Sequence, residues 1–329
     1  MNPFEKVALG RTKLEVTRLG MGTAALPGLY TAVDEREAIG AVQAALESGL
    51  NLIDTAPMYG HGKSEELLGE ALNGVPRDSY VLSTKVGRVL EPADPAEFAE
   101  GQWKNVSPYR WVFDFSYDAV MRSFEESLRR MKVDRIDVLL IHDPDAHWEQ
   151  AIGEAYPAVH KLREQGVVSA IGAGMNQWEM LKRFGEEGDF DCFLLAGRYT
   201  LIDHTALAEF LPQCQRKGTS IIIGGPYNSG ILAGGNTFNY VPASEEMLVH
   251  VARVKAVCER HGVDLKAAAL QFPMAHPTVA TTIPGAKTPA EFAENLRLFA
   301  APIPAALWIE LRAEGLIPAE CPIPLATGM

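Results

Sequence analysis

Eight short, nearly continuous apolar runs punctuate the chain, and a stretch with helical periodicity separates each from the next. The runs are Arg18 to Thr23, Asn51 to Thr55, Tyr80 to Val86, Ile136 to His142, Val167 to Ala173, Cys192 to Ala196, Ser220 to Gly224 and Val279 to Gly285. Segments of this length and apolarity suit parallel strands covered on both faces. The intervening stretches read as amphipathic helices. Asp34 to Gly49 opens on acids and stops at glycine, so both ends carry helix signals. Tyr117 to Met131 sets Val120, Phe124 and Leu128 on one face. Ser64 is the expected N-cap of the helix that carries Glu65 and Glu66 in its first turn. Eight such units in 329 residues predict an α/β fold, a (β/α)8 barrel of the TIM type, with residues 1–329 as a single domain.

Two departures from that rhythm matter. Lys6 to Gly20 holds two short alternating runs around Gly10 and Arg11, which predicts a β-hairpin before the first barrel strand. Long connections follow the third strand (Gly87 to Asp114) and the seventh (Gly225 to Glu246). Loops of this length are more often functional than idle, and both leave C-terminal strand ends, where barrel active sites form.

Composition narrows the function. Thirty Lys and Arg against 42 Asp and Glu give a net charge of −12, which argues against a nucleic-acid partner. With 47% hydrophobic residues the chain can bury a large core. Its four cysteines, at 192, 214, 258 and 321, show neither a C-x-x-C pair nor zinc-ligand spacing, so isolated reduced thiols and no metal are expected. The first twenty residues lack the apolar centre of a secretory leader and no run is long enough to span a bilayer. A cytoplasmic protein with no membrane partner is the expectation.

Several tempting motifs fail. Gly60 to Ser64 reads GHGKS, but a phosphate loop needs glycine at position 57, where Pro57 stands. Gly20, Gly22 and Ala25 have dinucleotide-fold spacing, yet Pro27 and Gly28 stand where that fingerprint opens a helix. No G-x-S-x-G elbow is present.

One constellation survives. Asp54, Tyr59, Lys85 and His142 lie at or just beyond the ends of the second, third and fourth strands, which in a barrel share one rim. An acid, a phenol, an ammonium and an imidazole suit proton transfer at a carbonyl or carbinol oxygen. A free tyrosine has a pKa of about 10, and a neighbouring ammonium is expected to lower it. Asp54 would orient Lys85, and His142 would donate to the substrate oxygen. Such a site handles an alkoxide while a hydride moves elsewhere, which implies a nicotinamide cofactor.

Through NLIDTAPMYGHGKSEELLG, STKVG and LLIHD, the sequence resembles the aldo-keto reductase superfamily over nearly its whole length. The resemblance implies a (β/α)8 barrel that binds NAD or NADP without a dinucleotide-binding domain, and a tetrad of Asp54, Tyr59, Lys85 and His142. It also implies cofactor contacts at Gly22, Thr23, Asp54, Asn176, Ser229, Gly230, Leu232, Gly285, Lys287, Glu291, Glu294 and Asn295. Ala196 and Gly224 replace residues common in the superfamily, and these variants resemble the branch of D-threo-aldose 1-dehydrogenases, L-fucose dehydrogenases and pyridoxal 4-dehydrogenases. The implied substrate is then an aldose of the L-fucose, L-galactose or D-arabinose type oxidised at C1. Tyr59 and His142 would hold its reacting oxygen, and Trp103, Trp111 and Phe113 could stack on it. Pyridoxal is the alternative. A remote one is a non-catalytic potassium-channel subunit, for which no added channel-binding segment is expected. Gly285 and Glu291 occupy positions where NADP-preferring members carry a lysine and an arginine, so NAD is the expected preference, with Lys287 as a partial substitute for the missing charge. Thr288 is the expected cap of the helix that holds Glu291.

Overall fold

The computed structural model describes residues 1–98 and 101–324. Residues 99–100, within the long third connection, and 325–329, at the end of the expected domain, lie outside it. Strands β1 (Lys6–Ala8) and β2 (Glu15–Thr17) pair antiparallel as the expected hairpin. There follow β3 (Met21–Gly22), α1 (Glu35–Glu47), β4 (Leu52–Asp54), α2 (Lys63–Ala71), β5 (Val81–Val86), β6 (Arg88–Pro92), β7 (Tyr109–Phe113), α3 (Tyr117–Met131) and β8 (Val138–His142). A helical segment begins as α4 (Trp148–Gln150), passes a π turn at Ala151–Ala155 and continues as α5 (Tyr156–Glu164). The remainder is β9 (Ala170–Met175), α6 (Trp178–Glu187), β10 (Cys192–Ala196), α7 (Phe210–Lys217), β11 (Ser220–Gly224), β12 (Thr237–Phe238), β13 (Val241–Pro242), α8 (Glu245–Arg260), α9 (Leu265–Gln271), β14 (Val279–Ile283), α10 (Pro289–Ala300) and α11 (Ala305–Ala313).

Eight of these strands, in the order β3, β4, β5, β8, β9, β10, β11 and β14, lie side by side in one parallel sheet. Its two ends meet. Leu19 bridges Thr282 and Gly22 bridges Gly285, while the Gly20 and Gly22 amides donate to Thr282 O at 2.9 Å and Pro284 O at 3.2 Å. The seam needs glycine: a Cβ at Gly22 would stand 2.9 Å from Ile283 O. The result is the (β/α)8 barrel.

Strand alternation sorts the apolar residues into two cores. Leu52, Val81, Val138, Leu140, Ala170, Cys192, Leu194 and Ile222 fill the barrel, and Leu9 and Val16 of the hairpin pack with them. Ile53, Leu82, Ile141, Ile171 and Ile223 face outward into the layer shared with the helices. Burying such a side chain stabilises the fold by about 1.5–3 kcal/mol. The cysteines are buried and free.

The long connections are more ordered than their sequences suggest. The third folds as the β6–β7 ladder, from Arg88 opposite Phe113 to Pro92 opposite Tyr109. The seventh carries a 3-10 turn at Asn228–Ala233 and the two-residue ladder of β12 with β13. One helix boundary corrects the sequence reading. Gly62, in a left-handed conformation, caps α2, and Ser64 lies inside its first turn. The Ser64 hydroxyl instead meets Thr23 O at 3.0 Å and Thr23 Oγ1 at 2.8 Å, tying the helix start to the first loop. Thr288 does cap α10, accepting from the Glu291 amide at 3.2 Å.

Candidate active site

The alternation that fills the barrel also builds its mouth. Inward positions run Leu52 and Asp54 on β4, Val81, Ser83 and Lys85 on β5, and Val138, Leu140 and His142 on β8. Each strand is apolar inside until its C-terminal end, where a polar side chain takes the same inward place. Lys85 Nζ lies 2.7 Å from Asp54 Oδ2 and donates to Thr55 O at 2.8 Å, while Ser83 Oγ donates to Asp54 Oδ1 at 2.7 Å. Lys85 is 1% exposed and Asp54 2%. A buried pair with these extra hydrogen bonds is positioned as a unit, because removing either partner strands a charge.

Tyr59 arrives from the loop after β4. Its ring centre is 4.8 Å from Lys85 Nζ and 6.0 Å from the His142 ring, edge to face. The turn is tight: Gly60, His61 and Gly62 all have positive φ, and a Cβ on Gly60 would come within 2.4 Å of the Pro27 ring. Glycine at 60 is therefore what lets the loop present Tyr59. All four tetrad residues thus meet at one place.

The electrostatics refine the expectation in one respect. Burial raises the Tyr59 pKa, Lys85 opposes it and Asp54 adds to it; the outcome is about 12, above the free value rather than below it. Lys85 lowers the pKa as expected, but desolvation is the larger effect. Burial works against the Lys85 charge as well, yet Asp54 and Tyr59 carry its pKa above the ordinary value. Burial, then the charges of Lys85 and Arg88, push His142 well below its usual range, so its ring is neutral. A neutral imidazole can donate one hydrogen bond to an oxygen without giving up a proton.

Tyr59, Lys85 and His142 open on a cavity of about 320 Å³, at the small end of the range for small-molecule sites, with Asp54 behind Lys85. Trp103 supplies a flat wall. Its ring lies 6.2 Å from that of Tyr59 and its Nε1 donates to Ala24 O at 2.9 Å. Trp111 and Phe113 do not line this cavity. Their rings stand 4.6 and 4.9 Å from the guanidinium of Arg88, which does. Arg88 pairs with Asp143 Oδ2 at 2.7 Å.

The residues implied for cofactor contact spread along the rim from β3 to α10. Gly22 and Thr23 sit beside Asp54, whose carbonyl accepts from Thr23 N and Oγ1. Asn176 lines the cavity, its Nδ2 donating to Ala196 O at 3.2 Å. Asn228, Ser229 and Gly230 form a consecutive left-handed run, and nothing lies within 4 Å of where a Gly230 Cβ would be. Leu232 is buried in the outer core. Gly285 O accepts from Asn295 Nδ2 at 3.1 Å, and Asn295 Oδ1 accepts from the Tyr227 hydroxyl at 2.7 Å. Lys287 Nζ reaches Thr31 Oγ1 at 2.6 Å, Glu291 Oε2 accepts from the Lys287 amide at 2.9 Å, and Glu294 pairs with Lys266 at 2.6 Å. Buried Asn228 Oδ1 has no partner among the described residues. An amide in the cavity wall, an orphaned acceptor and an open left-handed turn of the kind that cradles anions fit a dinucleotide. Among the described residues no cluster of His, Cys, Asp and Glu is placed to hold a metal, and no helix is long and apolar enough to cross a membrane.

Three residues of the site escaped the sequence reading: Ser83, Arg88 and Asp143. Ser83 shares inward parity with Lys85, two residues on, and that was a usable signal. Arg88 and Asp143 merely follow Gly87 and His142. Their meeting depends on β5 lying beside β8, which nothing local in either segment encodes.

Residues 18–313 match the family model described as the aldo/keto reductase family. The chain is 41% identical to a pyridoxal 4-dehydrogenase of Microbacterium luteolum, covering 95% of this chain and 98% of that protein. It is 38% identical to a D-threo-aldose 1-dehydrogenase of a Pseudomonas species, covering 93% and 96%. Among solved structures, an aldo-keto reductase from Bacillus halodurans in its holo form superposes with a TM-score of 0.75 at 25% identity, covering 96% and 97%.

Proposed function

The chain belongs to the aldo/keto reductase family, whose enzymes use NAD(P)H, and from that premise we propose that it oxidises C1 of a cyclic aldose to the lactone. The aldose is of the L-fucose, L-galactose or D-arabinose type, NAD is preferred to NADP, and residues 1–329 act as one catalytic domain. The observation that carries the reading is the pairing, within one small cavity, of Tyr59, Asp54-bound Lys85 and His142 with the Trp103 ring wall. An aromatic face suits the C–H face of a pyranose.

Tyr59 is the acid/base. Its hydroxyl, on a ring whose centre is 4.8 Å from Lys85 Nζ, takes the proton of the anomeric hydroxyl as C1 is oxidised. Lys85 stabilises the phenolate that forms, and Asp54, fixed by Ser83, keeps Lys85 charged and aimed. Neutral His142 donates to the same substrate oxygen and sets its angle. Gly22, Thr23, Asp54, Asn176, the 228–232 turn and the start of α10 would hold a nicotinamide dinucleotide, which would supply the hydride acceptor. Glu291 stands beside Lys287 at the start of α10, where a carboxylate repels a 2′-phosphate and accepts from free ribose hydroxyls.

A second reading has its own support, the 41% identity to a pyridoxal 4-dehydrogenase. Pyridoxal closes to a cyclic hemiacetal, so the same proton chemistry would yield its lactone. Reduced-cofactor formation with L-fucose and with pyridoxal, measured side by side, separates the two. Failure to turn over any free aldose sinks the first. Turnover of about 1 per second or more also dismisses a purely regulatory role.

A further inference from the structure

The cavity holds a charged pair that the proton chemistry does not use. Arg88 begins β6, immediately after Gly87, whose φ of +101° turns the chain back over the barrel mouth. Its guanidinium lies 4.6 and 4.9 Å from the Trp111 and Phe113 rings, whose centres are 5.4 Å apart, so it packs beside both. One amino group holds Asp143 Oδ2 at 2.7 Å. The other meets Met58 Sδ at 2.8 Å, a weak acceptor, and buried Nε has no partner among the described residues. Nε is too enclosed to meet a substrate, but each amino group carries a second N–H with no partner among the described residues, and Arg88 lines the cavity.

Asp143 is its complement. It follows His142 at the end of β8 with φ of +44°, a left-handed conformation that aspartate and asparagine tolerate better than most residues. Its Oδ2 takes Arg88 and lies 3.4 Å from His142 Nε2. Among the described residues its Oδ1 accepts no hydrogen bond. Burial raises the Asp143 pKa and the Arg88 charge counters it. An acceptor and a donor therefore stand side by side, next to the group that would hold the reacting oxygen.

We propose that Arg88 and Asp143 form the specificity-determining contact for two neighbouring substrate hydroxyls, Asp143 accepting from one while Arg88 donates to the oxygen of the other. The inference rests on the aldose reading and deepens it. A vicinal diol presents a donor and an acceptor on adjacent carbons, which matches adjacent charged partners. Pyridoxal carries its ring N–H and its phenolic oxygen apart on the ring, which matches them poorly. Contacts to charged groups made through a guanidinium fork are strong and directional, so they discriminate by hydroxyl position.

The test compares wild type, Asp143→Asn and Arg88→Lys on L-fucose, D-arabinose and their 2-, 3- and 4-deoxy analogues at saturating NAD. Asn keeps the left-handed backbone, and Lys keeps the charge but loses the fork. In wild type, one or two deoxy positions should lower kcat/KM about 10–100-fold, and the others should not. Asp143→Asn should lower kcat/KM for the parent sugars by a similar factor, mainly through KM, and should leave the sensitive deoxy analogue within threefold of its wild-type value. Arg88→Lys should repeat the pattern at one position. Equal losses on parent and analogues would mean that the pair acts through His142 or the fold, and would overturn the proposal. So would no loss at all, or a wild type indifferent to every deoxy substitution while it oxidises the parent sugars. A wild type that oxidises no aldose overturns the aldose reading itself, and this inference with it.

Discussion

Replacing Lys85 with methionine tests the core of the site. The substitution keeps an unbranched side chain, one atom shorter, and removes the charge at a position that is 1% exposed. Asp54 keeps its bond from Ser83 Oγ but loses its cation, and Thr55 O loses a donor. Breaking a buried pair from one side costs about 3–5 kcal/mol, most of it from the charge left behind. The sign of the pH dependence follows. An unpaired buried carboxyl has a folded pKa above its unfolded value of about 3.9, so the folded variant takes the proton first and gains stability as pH falls. The deficit against wild type should be largest near pH 7 and shrink toward pH 5. Asp54→Asn combined with Lys85→Met should recover at least half of it, since no charge is then stranded. Urea unfolding followed by tryptophan fluorescence at pH 7, 6 and 5 measures all three proteins. A deficit below about 1 kcal/mol at pH 7, or one that does not change with pH, would refute the reasoning. Residual turnover gives an independent check. Without Lys85 the Tyr59 pKa rises further, so activity should move to higher pH, and an unchanged profile counts against the pairing.

Tyr59→Phe should lower kcat about 10²–10⁴-fold while cofactor still binds, as read by protein fluorescence; near-normal turnover removes Tyr59 from its role. Glu291→Arg should raise kcat/KM for NADP relative to NAD, and a wild type that already favours NADP tenfold, about 1.4 kcal/mol, contradicts the reading of Gly285 and Glu291. Buried His276 accepts from the Thr278 amide through Nδ1, and burial holds its pKa at about 4. Below its unfolded pKa of about 6.5 the unfolded chain takes the proton first, so stability present above that pH falls by about 3 kcal/mol as pH drops to 4. His276→Asn should flatten the curve by about that amount, and equal slopes in the two proteins would remove His276 as the cause.

The barrel was readable because each strand is a local pattern bounded by turn residues, and eight of them in alternation with helices admit few architectures. The meeting of Asp54, Tyr59, Lys85 and His142 followed because strand C-termini are identifiable in sequence and the fold brings them together. What escaped depended on neighbours across the sheet. Ser64 has the composition of a cap, yet its hydroxyl serves Thr23, forty-one residues away. The sign of the Tyr59 shift turned on depth of burial, which only the closed barrel defines. Trp111 and Phe113 were sound as aromatic loop residues, but the β6–β7 register turned them onto Arg88 instead of the cavity.

That register has a thermodynamic consequence. Because the third connection is laddered over five residue pairs, the Arg88 end of the hairpin loses its conformational entropy when the chain folds, not when substrate arrives. Recognition by this arm is preorganised, and little of the binding free energy is diverted to ordering it. A substrate that fits the arm gains the full contact, and one that does not cannot induce it. Selectivity of this kind is fixed in the folded state, so it should change stepwise when the hairpin is exchanged for another of the same length, with the proton-transfer groups left as they are.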